Sequence, residues 1–163
     1  MKITQVNGSC SPILGNIWAD LGLPARGPKL HELVHDGLPF AFLDRIANVL
    51  QVPRGVITKA ICVSPAMLAR RAKAGRFNAI ESDRLVALVG VFQEAIVLFE
   101  GDVSAAIGWM STPVRGLGKC PLDMLETRVE TQAVLDLIGR QSGKWGACLR
   151  VSLMIAGERE TIP

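Results

Sequence analysis

The sequence predicts an all-α protein, with a helix–turn–helix unit in its first half packed on a second helical domain. Three observations carry this reading. Apolar residues recur at helical spacing along most of the chain, while alternating, strand-like runs are rare. Gly and Pro cut the chain into helix-length pieces. Within Arg54–Arg71, Ile57, Ile61, Val63 and Leu68 fall at the buried positions of a helix–turn–helix. At 163 residues, 49% hydrophobic and 20% charged, the chain suits one mid-sized domain or two small ones sharing a core.

The elements follow in order. Ile13 to Leu21 reads as a short helix ended by Gly22 and Pro24, and residues 25–29 as a turn. Leu30 to Asp36 is a second short helix stopped by Gly37. Pro39 stands at a helix start, where its missing N–H costs nothing, and Phe40, Leu43, Ile46, Ala47 and Leu50 form one stripe. Pro53 to Ile61 is the next helix. Ser64-Pro65, a cap followed by a first-turn proline, opens a helix that runs to Lys73 and closes at Gly75. A long helix from Glu81 to about Phe99 turns Leu85, Leu88, Val89, Phe92, Ile96 and Phe99 inward. Val103 to Met110 and Thr131 to Gly139 are shorter helices, separated by the Pro/Gly-punctuated stretch Ser111 to Thr127. Leu149 to Ile155 alternates like a strand but has no partner strand, so this tail stays unassigned.

Charge is segregated. Arg45, Arg54, Lys59, Arg70, Arg71, Lys73 and Arg76 lie between Arg45 and Ile80 with no acid among them. The whole chain is only +3, and without these seven it has 11 basic against 15 acidic side chains. Such concentration is an electrostatic footprint for a polyanion, DNA above all. A helix after Ser64 that enters the major groove presents its N-terminal side chains to base edges. Arg70 and Arg71 can take guanines or phosphates, whereas Ala66 and Met67 are poor readers of hydrogen-bond patterns. Lys59, Lys73 and Arg76 are the expected phosphate contacts, and Ser64 the cap that presents the helix. The bland alternative is a helical hairpin with a solvated basic face. Cys62 stands where the turn usually has Gly.

Other function classes are disfavoured. Three Trp, five Phe and no Tyr argue against single-strand binding on stacked aromatic platforms. The longest apolar stretch, Leu85 to Phe99, is broken by Gln93-Glu94 and is a core helix, not a membrane span. Cys10, Cys62, Cys120 and Cys148 are isolated, which with no apolar leader before Asp20 points to a reducing cytoplasm. His31-Glu32-Leu33-Val34-His35 matches the zinc-hydrolase pattern H-E-x-x-H, in which two imidazoles on one helix face grip the metal. No third histidine exists and the helix is about two turns long, so we read it as a polar helix face. No catalytic set, metal or cofactor is expected.

Several motifs together resemble the Xre/MbcA/ParS antitoxins. They are Gly37-Leu38-Pro39-Phe40, Val63-Ser64-Pro65 with Leu68-Ala69-Arg70-Arg71 and Gly75, and Glu81-Ser82-Asp83-Arg84-Leu85. Trp109-Met110 before Pro113, Leu117-Gly118 leading to Pro121-Leu122-Asp123-Met124-Leu125 and Thr127, then Val134, Leu137 and Gly139-Arg140 complete them. The resemblance spans about Leu21 to Gly143. It implies a non-enzymatic antitoxin whose partner is a RES-domain, NAD-consuming toxin and whose helix–turn–helix binds its own operator as double-stranded DNA, usually as a homodimer or within the toxin complex. The expected organisation is an N-terminal helical arm at 1–36, the helix–turn–helix region at 37–76, a toxin-binding domain at 77–143 and the tail at 144–163. The alternative is a stand-alone regulator that only dimerises through its second half.

Within the toxin-binding domain, Trp109, Met110, Leu117 and Leu122 form an apolar set around an irregular loop. Such sets are more often core than interface. Arg140 suits an anionic nucleotide pocket through its forked donors, or simply a solvated helix end. Two features depart from the family: Lys119 replaces a second Gly, and residues 144–163 continue past the resemblance. Truncation after Gly143 is expected to preserve or improve toxin neutralisation in a growth-rescue assay. Loss of rescue would assign the tail a role.

Overall fold

The long helix α6 (Ala79–Leu98) is the axis on which the other elements assemble. Asn78 starts it: its side chain accepts from Glu81 N at 2.7 Å while Glu81 Oε2 accepts from Asn78 N at 3.0 Å, a reciprocal capping box. The helix thus begins two residues before the predicted Glu81. Leu85, Leu88, Val89, Val91, Phe92, Ala95 and Ile96 are all buried, so α6 is apolar on most of its circumference, as a helix enclosed by others must be. Phe99, predicted as its last inward residue, is a half-buried C-cap.

The computed structural model describes residues 16–142. The rest of the predicted first helix, Ile13 to Gly15, and the strand-like run in the tail lie outside the described residues. Four helices pack directly on α6: α1 (Ile17–Asp20), α2 (Pro28–Asp36), α7 (Val103–Ser111) and α8 (Arg128–Ser142). Next to them, α3 (Phe42–Leu50) packs on α4 (Arg54–Ala60), and α5 (Pro65–Ala74) completes the helix–turn–helix. A 3-10 turn, Pro121–Met124, touches α4, α7 and α8. One apolar cluster runs from Ile17 to Ile138 and joins both halves. Among the described residues no helix is long and apolar enough to cross a membrane. Gln93, which interrupts the apolar run of α6, accepts the backbone N–H of Ile17 at 2.8 Å and so anchors α1.

The helix–turn–helix is closed by a short antiparallel contact. Phe40 N donates to Gly75 O and Phe77 N to Leu38 O, each at 2.9 Å, with Pro39 opposite Arg76. Pro39 therefore does not start α3, which begins at Phe42. The proline occupies the bridge position that lends no N–H to the pairing, which is why it is tolerated. Phe40 stacks on Phe77 at a centroid distance of 5.4 Å.

Gly37 makes the crossing possible. Its φ is +82°, and a Cβ there would lie 2.1 Å from the carbonyl oxygen of Phe77. The next N–H, of Leu38, donates to the buried Ser82 Oγ of α6 at 2.9 Å, so the backbone cannot retreat cheaply. Gly37→Ala should destabilise by at least about 2 kcal/mol, from left-handed strain plus the clash, read as a lower urea midpoint with an unchanged slope.

Candidate functional site

The site is built on α5. Ser64 caps it, its Oγ accepting from Met67 N at 3.3 Å, Pro65 fills the first turn, and Gly75 ends it at φ +72°. No residue of α5 is buried. Leu68 and Arg71, three apart, form a half-buried inner edge, while Ala66, Met67, Arg70 and Lys73 are exposed. The preceding turn places Cys62 at φ +57°, the left-handed position the sequence marked as glycine's. Cys62 is exposed, yet partial desolvation in the turn, together with the neighbouring Glu126 carboxylate, pushes its thiol above the ordinary cysteine range.

The run of bases without acids is not free of acids in space. Arg54 pairs with Asp44, Lys59 Nζ lies 2.9 Å from Asp123 Oδ1, and Arg71 Nε lies 2.8 Å from Glu81 Oε2. Arg45 sits over the Phe42 ring at 5.7 Å, and Arg76 Nη1 donates to Asp36 O at 3.2 Å. Among the described residues Arg70 and Lys73 enter no salt bridge. The hydrogen bond that Lys59 donates to the Asp123 carboxylate holds its ammonium above its usual pKa, so the charge persists but is shared with the other half of the chain.

Two functional supports escaped the sequence reading. Glu81 is almost wholly buried and ties α5 to α6 through Arg71. Arg84, one turn later, donates from Nη1 to Ile61 O at 3.0 Å and so holds the turn between α4 and α5. The pattern Asn78-x-x-Glu81 was the available signal, since it marks a helix start whose Glu faces inward.

Of the predicted toxin-facing residues, Met110 and Trp109 lie in the core, with Trp109 tilted against Phe99 at 6.2 Å. They shape this face from beneath rather than presenting surface. Leu117 and Leu122 are half-buried. Arg140 is exposed in the last turn of α8, its Nε donating to Asp136 O at 3.3 Å. The loop before the 3-10 turn closes through Val114 N to Lys119 O at 3.1 Å, with Gly118 at φ +69°. Lys119, the departure from the family pattern, reaches Glu130 Oε1 at 3.7 Å and fastens the loop to α8. An open groove of about 450 Å³ lies between α4 and this segment, lined by Val56, Lys59, Ala60, Cys120, Leu122 and Glu126 among others. Lys59 and Leu122, assigned from the sequence to different tasks, share it.

His31, Glu32 and His35 are exposed on α2, and among the described residues no group of three metal-ligating side chains assembles. Because Glu81 is buried with two donors on one oxygen, Glu81→Gln should cost about 1–3 kcal/mol. A thermal or urea melt checks this, and a loss below about 0.5 kcal/mol, the level of ordinary surface substitutions, would show the pair to be incidental.

Residues 29–90 match the antitoxin Xre-like helix-turn-helix domain, and residues 94–144 the antitoxin Xre/MbcA/ParS C-terminal toxin-binding domain. The two matches meet inside α6. The chain is 39% identical over 127 residues to the antitoxin Xre of Yersinia enterocolitica, covering 76% of this chain and 86% of that protein. It is 36% identical, over the same length and shares, to the antitoxin Xre of Photorhabdus laumondii. With an exposed, capped second helix in the first match and an α7–α8 unit packed on the same central helix in the second, the chain belongs to the non-enzymatic Xre antitoxin family.

Proposed function

We propose that this protein neutralises a RES-domain, NAD-consuming toxin through its C-terminal half and represses its own operon through α5, acting in the cytoplasm as a homodimer. The observation that carries the reading is α5 itself. It buries none of its residues, yet is capped and pinned to α6, the state expected of a helix held out for a groove. The second half supplies an irregular, loop-rich face, with Leu117, Leu122 and Arg140 at or near the surface, for a protein partner. Co-expression with a RES-domain toxin, if one is encoded beside this gene, should restore growth and cellular NAD. Unrelieved NAD loss with a stable antitoxin present would overturn the assignment.

In this reading Arg70, Lys73 and Arg76 contact DNA directly. Lys59 joins them only by exchanging Asp123 for a phosphate. Both partners are well exposed, at 76% and 45%, so the exchange costs little. Lys59→Gln should reduce the slope of log affinity against log salt by about 0.9, the value for one phosphate contact. Asp123→Asn should tighten binding at constant fold stability. A salt slope identical in wild type and Lys59→Gln would remove Lys59 from the interface.

A further inference from the structure

We infer that α5 reads thymine methyl groups through Pro65, Ala66 and Met67, and guanine through Arg70 alone. The inference rests on the proposed docking of α5 in the major groove. It adds the chemistry of the bases that the helix selects.

The residues at the start of a groove-bound helix are those that reach base edges. Here they are Pro65, Ala66 and Met67, all exposed, and none carries a hydrogen-bonding side chain. Met67 adds a large apolar side chain, 37% exposed, to the outer side of a helix whose inner edge is Leu68 and Arg71. Only one base offers an apolar group on the major-groove edge, thymine with its C5-methyl. Against the other bases this surface would strip water from donors and acceptors and return no partner.

Arg70 lies four residues after Ala66 and three after Met67, hence on the adjoining part of the outer face. It is exposed and enters no salt bridge among the described residues, so its fork is available for guanine O6 and N7. Arg71 is different. Its Nε is committed to Glu81, and it lies with Leu68 on the inner edge, so it positions the helix and reads no base. Lys73, a turn further along, suits a phosphate. From Pro65 to Arg76 the segment carries four bases and no acid, which selects a polyanionic occupant over an apolar protein surface.

The test uses the full-length protein and duplexes it selects from a random library at physiological salt. In each selected site, thymines are replaced one at a time by deoxyuridine, which removes only the methyl. Contacted thymines should each lose about fourfold in affinity, the equivalent of one buried methyl group. Ala66→Gln, on an exposed position that leaves the fold alone, should move the preference at its base from thymine to adenine. Arg70→Ala should erase the guanine preference, whereas Arg71→Gln should weaken binding evenly without changing any base preference. If deoxyuridine is tolerated throughout while sequence-specific binding persists, the methyl reading is overturned and groove docking survives. Retention of no duplex at all would overturn both.

Discussion

The carboxylate of Glu81 is the point on which the placement of the helix–turn–helix depends. One of its oxygens accepts both the N–H of Asn78, which starts α6, and the Nε of Arg71, which belongs to α5. Taking a carboxylate out of water is costly, and a buried pair of this kind is weak as a source of net stability. Its value lies in direction. A helix with only Leu68 and Arg71 half-buried has little packing to fix its azimuth, and a charged hydrogen bond at one place along it helps to fix that angle. Ser82 and Arg84 repeat the device on the loop at Leu38 and on the turn at Ile61. Within its first two turns α6 therefore grips three separate parts of the helix–turn–helix.

The distribution of charge follows from the same geometry. Asp44, Glu81 and Asp123 enter the basic region from outside the acid-free run, and each takes one base. What remains unpaired on α5, Arg70 and Lys73, is smaller than the sequence run but sits on the exposed side of an exposed helix. The third acid, Asp123, comes from the 3-10 turn of the toxin-binding half. The groove around it is thus common ground, with a surface of α4 on one wall and Leu122 on the other.

Much of this was legible in the sequence because local signals and tertiary demands agree. Ser64-Pro65 and Gly75 bound α5 as they should, and the turn's need for a left-handed residue is met at Cys62 despite its side chain. Pro39 misled because a proline that starts a helix and one that sits in a bridge without donating look alike in one dimension. The buried or paired states of Glu81, Arg71 and Lys59 were illegible for a different reason. Each depends on a residue 10 or 64 positions away, and periodicity carries no information about such partners. Trp109 and Met110 leaned toward core in the sequence but stood among the toxin-facing candidates, and only packing against Phe99 and the central cluster decides for the core.

The two matched regions meet within one uninterrupted helix, not at a linker. A break between residues 81 and 93 would part the Glu81 end, which holds α5, from the Gln93 end, which holds α1. The helix–turn–helix region and the toxin-binding region are therefore not separable blocks, since a single rigid rod carries the anchors of both.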